Sequence, residues 1–135
     1  MIESAEEFVR LRSSENQEEY SRAAHEEAPV EVWNEVIENY PDMAFWVVQN
    51  KTVPYELLEL LAGHTEDRVR SMVARKNKLN EPLLLKLAFD TSDSVRMTIA
   101  RHKKATLAVL KPLTNDAWGE IAKLASERIE NGSHK

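Results

Sequence analysis

The chain contains no cysteine. That excludes disulfides, thiolate nucleophiles and the cysteine-based zinc and iron–sulfur sites. Its 135 residues include only 3 glycines and 5 prolines, few for a fold built from strands and tight turns. P-loop, GxGxxG and GxSxG motifs are all missing, and three glycines could hardly supply one. No apolar run approaches the ~18 residues that a membrane-spanning helix needs. The first seven residues, from Met1 through Glu3 to Glu7, are acidic and polar, unlike the basic, apolar start of a secretory signal. These absences lead to the expectation of a soluble cytoplasmic protein that does not enter a membrane.

Chemistry is equally sparse. The four histidines are His25, His64, His102 and His134; none forms an i, i+4 pair and no HExxH occurs, so no metal site is expected. Adjacent carboxylates recur, as in Glu6-Glu7, Glu18-Glu19 and Glu26-Glu27. No apolar neighbours surround them to raise a pKa, so they read as solvated helix faces. The expectation is a protein with no catalytic residues, no cofactor and no small-molecule substrate, and thus not an enzyme.

What the chain does have is charge, unevenly spread. Residues 1–67 carry 16 acidic and 4 basic residues, −12, whereas 68–135 carry 7 and 14, +7, for a net charge of −5. Within 68–104 there are 10 basic and 3 acidic residues. Such asymmetry favours a partner steered by charge.

It also has an internal repeat. LLELLAGHTEDRVRSMVARK (57–76) aligns without a gap on LLLKLAFDTSDSVRMTIARH (83–102), at an offset of 26. Leu57 meets Leu83, Val69 meets Val95, Arg70 meets Arg96, Val73 meets Ile99 and Arg75 meets Arg101. The apolar skeleton continues forward through Val109, Leu113, Ile121 and Ala125. Steps of 25 carry it back through Trp33, Val36 and Val48 to Phe8 and Leu11. Self-similarity at such a period marks a stacked-repeat protein. Each unit reads as two short helices with apolar residues at i, i+3, i+4. Pro29, Pro54 and Pro82 suit first turns, while Thr52 and Asn80 suit the caps before them. Thr65, Glu66, Ser92 and Asp93 suit the starts of second helices. A helix pair cannot bury its apolar face alone, but stacked pairs can. The expectation is one all-α domain over 1–130, with about five two-helix repeats, a degenerate first repeat, a last repeat acting as a cap, and a frayed tail at 131–135.

The unit LLxxLAxDxxxxVRxxVAR, clearest from Leu57 to Leu113, resembles the variant leucine-rich repeat, an all-helical bacterial relative of HEAT repeats. The resemblance implies a short right-handed α-solenoid that binds macromolecules. It implies neither an enzyme nor a particular ligand.

In such a stack the second helices usually line the concave face. Their in-between positions form ladders, with an aromatic end at Tyr20, Phe45 and Trp46 and an arginine-rich middle at Arg70, Arg75, Arg96 and Arg101; Asn50 joins the last ladder. Aromatic and arginine side chains carry much of the energy of interfaces, so these eight residues form the expected partner-binding set. Arg70 and Arg96 each follow an aspartate, Asp67 and Asp93, by three residues, so a structural pairing role stands beside the binding one. Arg75 and Arg101 have no such neighbour. Three functions follow. The first is an interaction module that grips another protein on its concave face. The second, more specific, is an immunity protein whose acidic half neutralises a basic toxin. The third is a nucleic-acid binder using 68–104, against which the acidic half argues.

Overall fold

The computed structural model describes the whole chain, Met1–Lys135. It is all-helical: α1 (Ala5–Ser13), α2 (Gln17–His25), α3 (Val30–Asn39), a 3-10 turn (Pro41–Met43), α4 (Ala44–Gln49), α5 (Tyr55–Leu61), α6 (Asp67–Ala74), α7 (Glu81–Ala88), α8 (Asp93–Ala100), α9 (Leu107–Leu113) and α10 (Gly119–Asn131). Helices this short are marginal in water by themselves, so their stability comes from the apolar faces they bury. The chain packs as two compact units, Met1–Leu61 and Ala62–Lys135.

In the first unit α1 packs on α2 and α3, α2 on α4, and α4 on both α3 and α5. Phe8, Leu11, Trp33, Val36, Val47, Val48 and Leu58 are fully buried there. Phe8 meets Trp33 edge-to-face, with ring centroids 5.1 Å apart, a geometry favoured by the ring quadrupoles. Ile2 joins this core, and its N–H donates to Glu27 O.

In the second unit α6 packs on α8 and α8 on α10, while α7 packs on α9. The second helices of successive repeats thus lie side by side, as do the first helices. The core is the repeat made physical: Val69, Val95 and Ile121 are buried in series, as are Val73, Ile99 and Ala125, and likewise the pairs Leu83/Val109, Leu84/Leu110 and Leu87/Leu113. Every member lies 26 residues from the next.

The helix ends explain the boundaries. Asn80 caps α7, its Oδ1 accepting from Leu83 N–H at 3.0 Å, and Pro82 sits in that first turn. Pro29 directly precedes α3 and Pro54 directly precedes α5. Thr52 stands two residues before Pro54, and its N–H and hydroxyl both donate to Asn50 Oδ1. The second helices start where expected, at Asp67 and Asp93, but Ser92 caps nothing with its side chain. Instead Asp90 accepts from Ser92 N–H, Asp116 accepts from Trp118 N–H, and His64 Nδ1 accepts from Glu66 N–H. These three residues are again spaced by 26. After α10 the chain turns at Gly132, whose φ of 75° is left-handed, and Ser133 N–H returns to Arg128 O, a common way to close a helix on glycine.

Candidate functional site

The eight residues expected to bind a partner divide between the two units. Tyr20, Phe45, Trp46 and Asn50 belong to the first, and Arg70, Arg75, Arg96 and Arg101 to the second.

Three of the first four gather around a residue the sequence did not single out. Arg12, in the last turn of α1, lies over Trp46 with its guanidinium carbon 3.4 Å from the ring centroid. Tyr20 stands 6.0 Å away on α2. Phe45 packs edge-to-face on Trp46 at 4.8 Å. Trp46 and Phe45 are half-buried and Tyr20 is exposed. A guanidinium over a ring gains cation–π attraction, and here it joins α1 and α2 to α4. Its Nε is buried and meets no acceptor on the protein. A lone arginine carries no periodic signal, which is why the sequence hides it.

Asn50 is not on a binding surface. It is fully buried, because it supplies hydrogen bonds that the backbone otherwise lacks. Its Nδ2 donates to Ala23 O at 2.8 Å and Glu26 O at 3.0 Å, and its Oδ1 receives Thr52. It therefore ties the end of α4 to the end of α2. His102 and Arg128 perform the same task. The imidazole of His102, itself buried, bonds Lys76 O through Nε2 at 2.7 Å. Arg128 Nη1 donates to Ala100 O and His102 O, both at 2.8 Å. Asn50, Lys76, His102 and Arg128 form a series with a spacing of 26, so Asn50 aligns with His102 rather than with Arg101. This is the signal that could have identified it.

Arg70 and Arg96 are also committed to the fold. Arg70 forms a two-pronged pair with Asp90 at 2.8 and 3.0 Å and donates to His64 O. Arg96 does the same with Asp116 at 2.7 and 3.3 Å and with Asp90 O. The partners are the turn aspartates of the next repeat, 20 residues on, rather than Asp67 and Asp93. The pairs are largely buried, with side chains 13% and 7% exposed in the first and 18% and 5% in the second. Hydrogen bonding to the carboxylates raises both arginine pKa values against the opposing effect of burial. Burial alone would raise the Asp116 pKa, but bonds from Arg96 and Trp118 N–H outweigh it and hold the carboxyl below its ordinary value. Each aspartate thus braces its own turn and anchors the preceding repeat.

Arg75 and Arg101 remain. They sit at the C-terminal caps of α6 and α8, where the helix dipole favours a cation. Both are exposed, and neither forms an ion pair. Together with Lys103, Asn77, Thr98, Ala74 and His102 they line one shallow depression of about 300 Å³, which contains three cations and no carboxylate. Lys104 N–H donates to His102 Nδ1 at 3.0 Å. In the tautomer that accepts this bond, Nε2 carries the ring proton and donates it to Lys76 O, so the imidazole lining the depression has both nitrogens engaged.

No protein-family model, curated protein or solved structure matches the chain. No helix is long and apolar enough to cross a membrane. No group of three or more His, Asp or Glu side chains is placed to hold a metal ion.

Proposed function

We propose that this is a non-catalytic cytoplasmic protein that docks another protein, built as a short right-handed α-solenoid of about five two-helix repeats of the variant leucine-rich type. The observation that carries the reading is the depression at Arg75, Arg101 and Lys103. Two arginines at equivalent places in successive repeats stand exposed with nothing to pair, while Arg70 and Arg96, five residues before them, are fully engaged. Cations that the fold does not use are available to a partner, and charged bonds made in a desolvated interface are strong.

The test is capture from lysate, with and without nuclease, by the wild-type chain and by the Arg75→Ala/Arg101→Ala variant. The variant should remain folded, because exposed substitutions usually change stability by about 0.5 kcal/mol or less. It should lose a nuclease-resistant protein partner. Retention of every wild-type partner by the folded variant overturns the reading. The second reading, an inhibitor of a basic toxin, draws on the first unit, which holds 14 acidic against 4 basic residues. In that case the captured partner is basic, and capture survives the double arginine variant but weakens when the Glu18-Glu19 and Glu6-Glu7 pairs are neutralised.

A further inference from the structure

The two free arginines define a spacing as well as a sign of charge. Arg75 ends α6 and Arg101 ends α8, and these helices pack side by side. Packed helices lie ~8–10 Å apart, so equivalent caps project their side chains from points separated by about that distance. An extended peptide in the polyproline II conformation has three residues per turn and advances ~3.1 Å per residue. Carboxylates three residues apart on such a peptide therefore lie on one side, separated by about 9 Å. Adjacent ones point a third of a turn apart, and those eight residues apart lie far beyond one repeat.

The floor of the depression is suited to a backbone crossing the helix ends. Ala74 is small and buried. The Thr98 hydroxyl is already donated to Ser94 O, and both His102 nitrogens are occupied. None of these competes for the incoming acid, and Asn77 is exposed beside it. A nucleic acid offers one charge per nucleotide along a continuous track, and its binding strength grows with the number of phosphates neutralised. Here it would find three cations on a chain of net charge −5. A sparse pair of carboxylates matches the supply better.

We infer that the Arg75–Arg101 depression binds an extended acidic segment of a partner protein, with two carboxylates about three residues apart, one on each guanidinium. The inference rests on the docking reading above and specifies the partner's chemistry. Each arginine can meet a carboxylate with two parallel N–H donors. Lys103 adds a third, less directional charge.

The experiment measures fluorescence anisotropy with synthetic peptides on the full chain. The probes are Glu-Gly-Ser-Glu flanked by Gly-Ser, the same peptide with adjacent glutamates, one with glutamates eight apart, a Gln-Gly-Ser-Gln control, and a single-stranded 12-mer DNA. Glu-Gly-Ser-Glu should bind at least threefold tighter than either other spacing. Arg75→Ala and Arg101→Ala should each weaken it about tenfold, the expected order for losing a bond between charged groups. Each should also abolish the preference for spacing, because one guanidinium can hold only one carboxylate. Circular dichroism and melting confirm that the variants are folded. Equal affinity for all acidic spacings, lost in the variants, overturns the spacing and leaves the docking surface standing. Unchanged peptide affinity in the folded double variant overturns the site itself. Absence of binding by any peptide at millimolar concentration overturns the inference, and partner capture then decides the docking reading separately. Tighter binding of the DNA, falling steeply with salt, replaces the acidic segment by a phosphate backbone.

Discussion

Four arginines of the second unit show how one chemical group is assigned by what faces it. Arg70 and Arg96 face the turn aspartates of the next repeat and are buried against them; Arg75 and Arg101 face water. Removing them should have opposite consequences. Arg96→Ala leaves Asp116, 5% exposed, as a buried carboxylate without its cation, and should cost about 3 kcal/mol in urea denaturation. Arg101→Ala should fall within about 0.5 kcal/mol of wild type in the same measurement. The Asp116 pair also sets a pH dependence. Its carboxyl is held below the ordinary value of 3.8 when folded. Its contribution is therefore complete above that value, where both states are ionised, and is lost as pH falls through the lower folded pKa. In Asp116→Asn this portion of the acid-induced loss should be absent, so the acid limb of the stability curve should become shallower. An unaltered acid limb would mean that the pair contributes nothing to it.

At the scale of helices, the sequence displays apolar and polar relationships unequally. The apolar stripe is fully legible. Burial acts on each residue separately, so a 26-residue recurrence of Val, Ile and Leu translates directly into Val69/Val95/Ile121 and Val73/Ile99/Ala125 in the core. Val73→Asp and Ile99→Asp should each unfold the protein, since an unpaired buried carboxylate costs several kcal/mol against a total of roughly 5–15 kcal/mol for a domain. A wild-type melting temperature in either would contradict the packing. The polar links were not legible in the same way, because a hydrogen bond needs two named groups and sequence shows only one at a time. Arg70 stands three residues from Asp67, yet it pairs with Asp90, which only the stacking of repeats brings near. Asn50 falls on a ladder position in the sequence because the period slips by one residue before the second unit. Its true equivalents, His102 and Arg128, differ in residue type and share only the task of tying one repeat's end to the previous one. Asn50→Ala would leave Ala23 O, Glu26 O and Thr52 N–H without their partner, and should cost roughly 2–4 kcal/mol. A neutral effect on the melting temperature would return Asn50 to the list of candidate contacts.

Across the whole molecule the two units differ in charge, −10 for Met1–Leu61 and +5 for Ala62–Lys135. Charge of this kind governs encounter more than fold. Raising salt should therefore slow association with a protein partner while changing dissociation little, which stopped-flow mixing reads directly. The joint at His102 has a further consequence. Only an uncharged ring accepts a hydrogen bond at Nδ1, and the bond it accepts comes from Lys104 N–H. Lys104 is exposed, so deuterium would replace that amide proton quickly were the ring not holding it. The exchange lifetime of one proton at Lys104, measured relative to Lys103, thus becomes a clock for the link between two successive repeats.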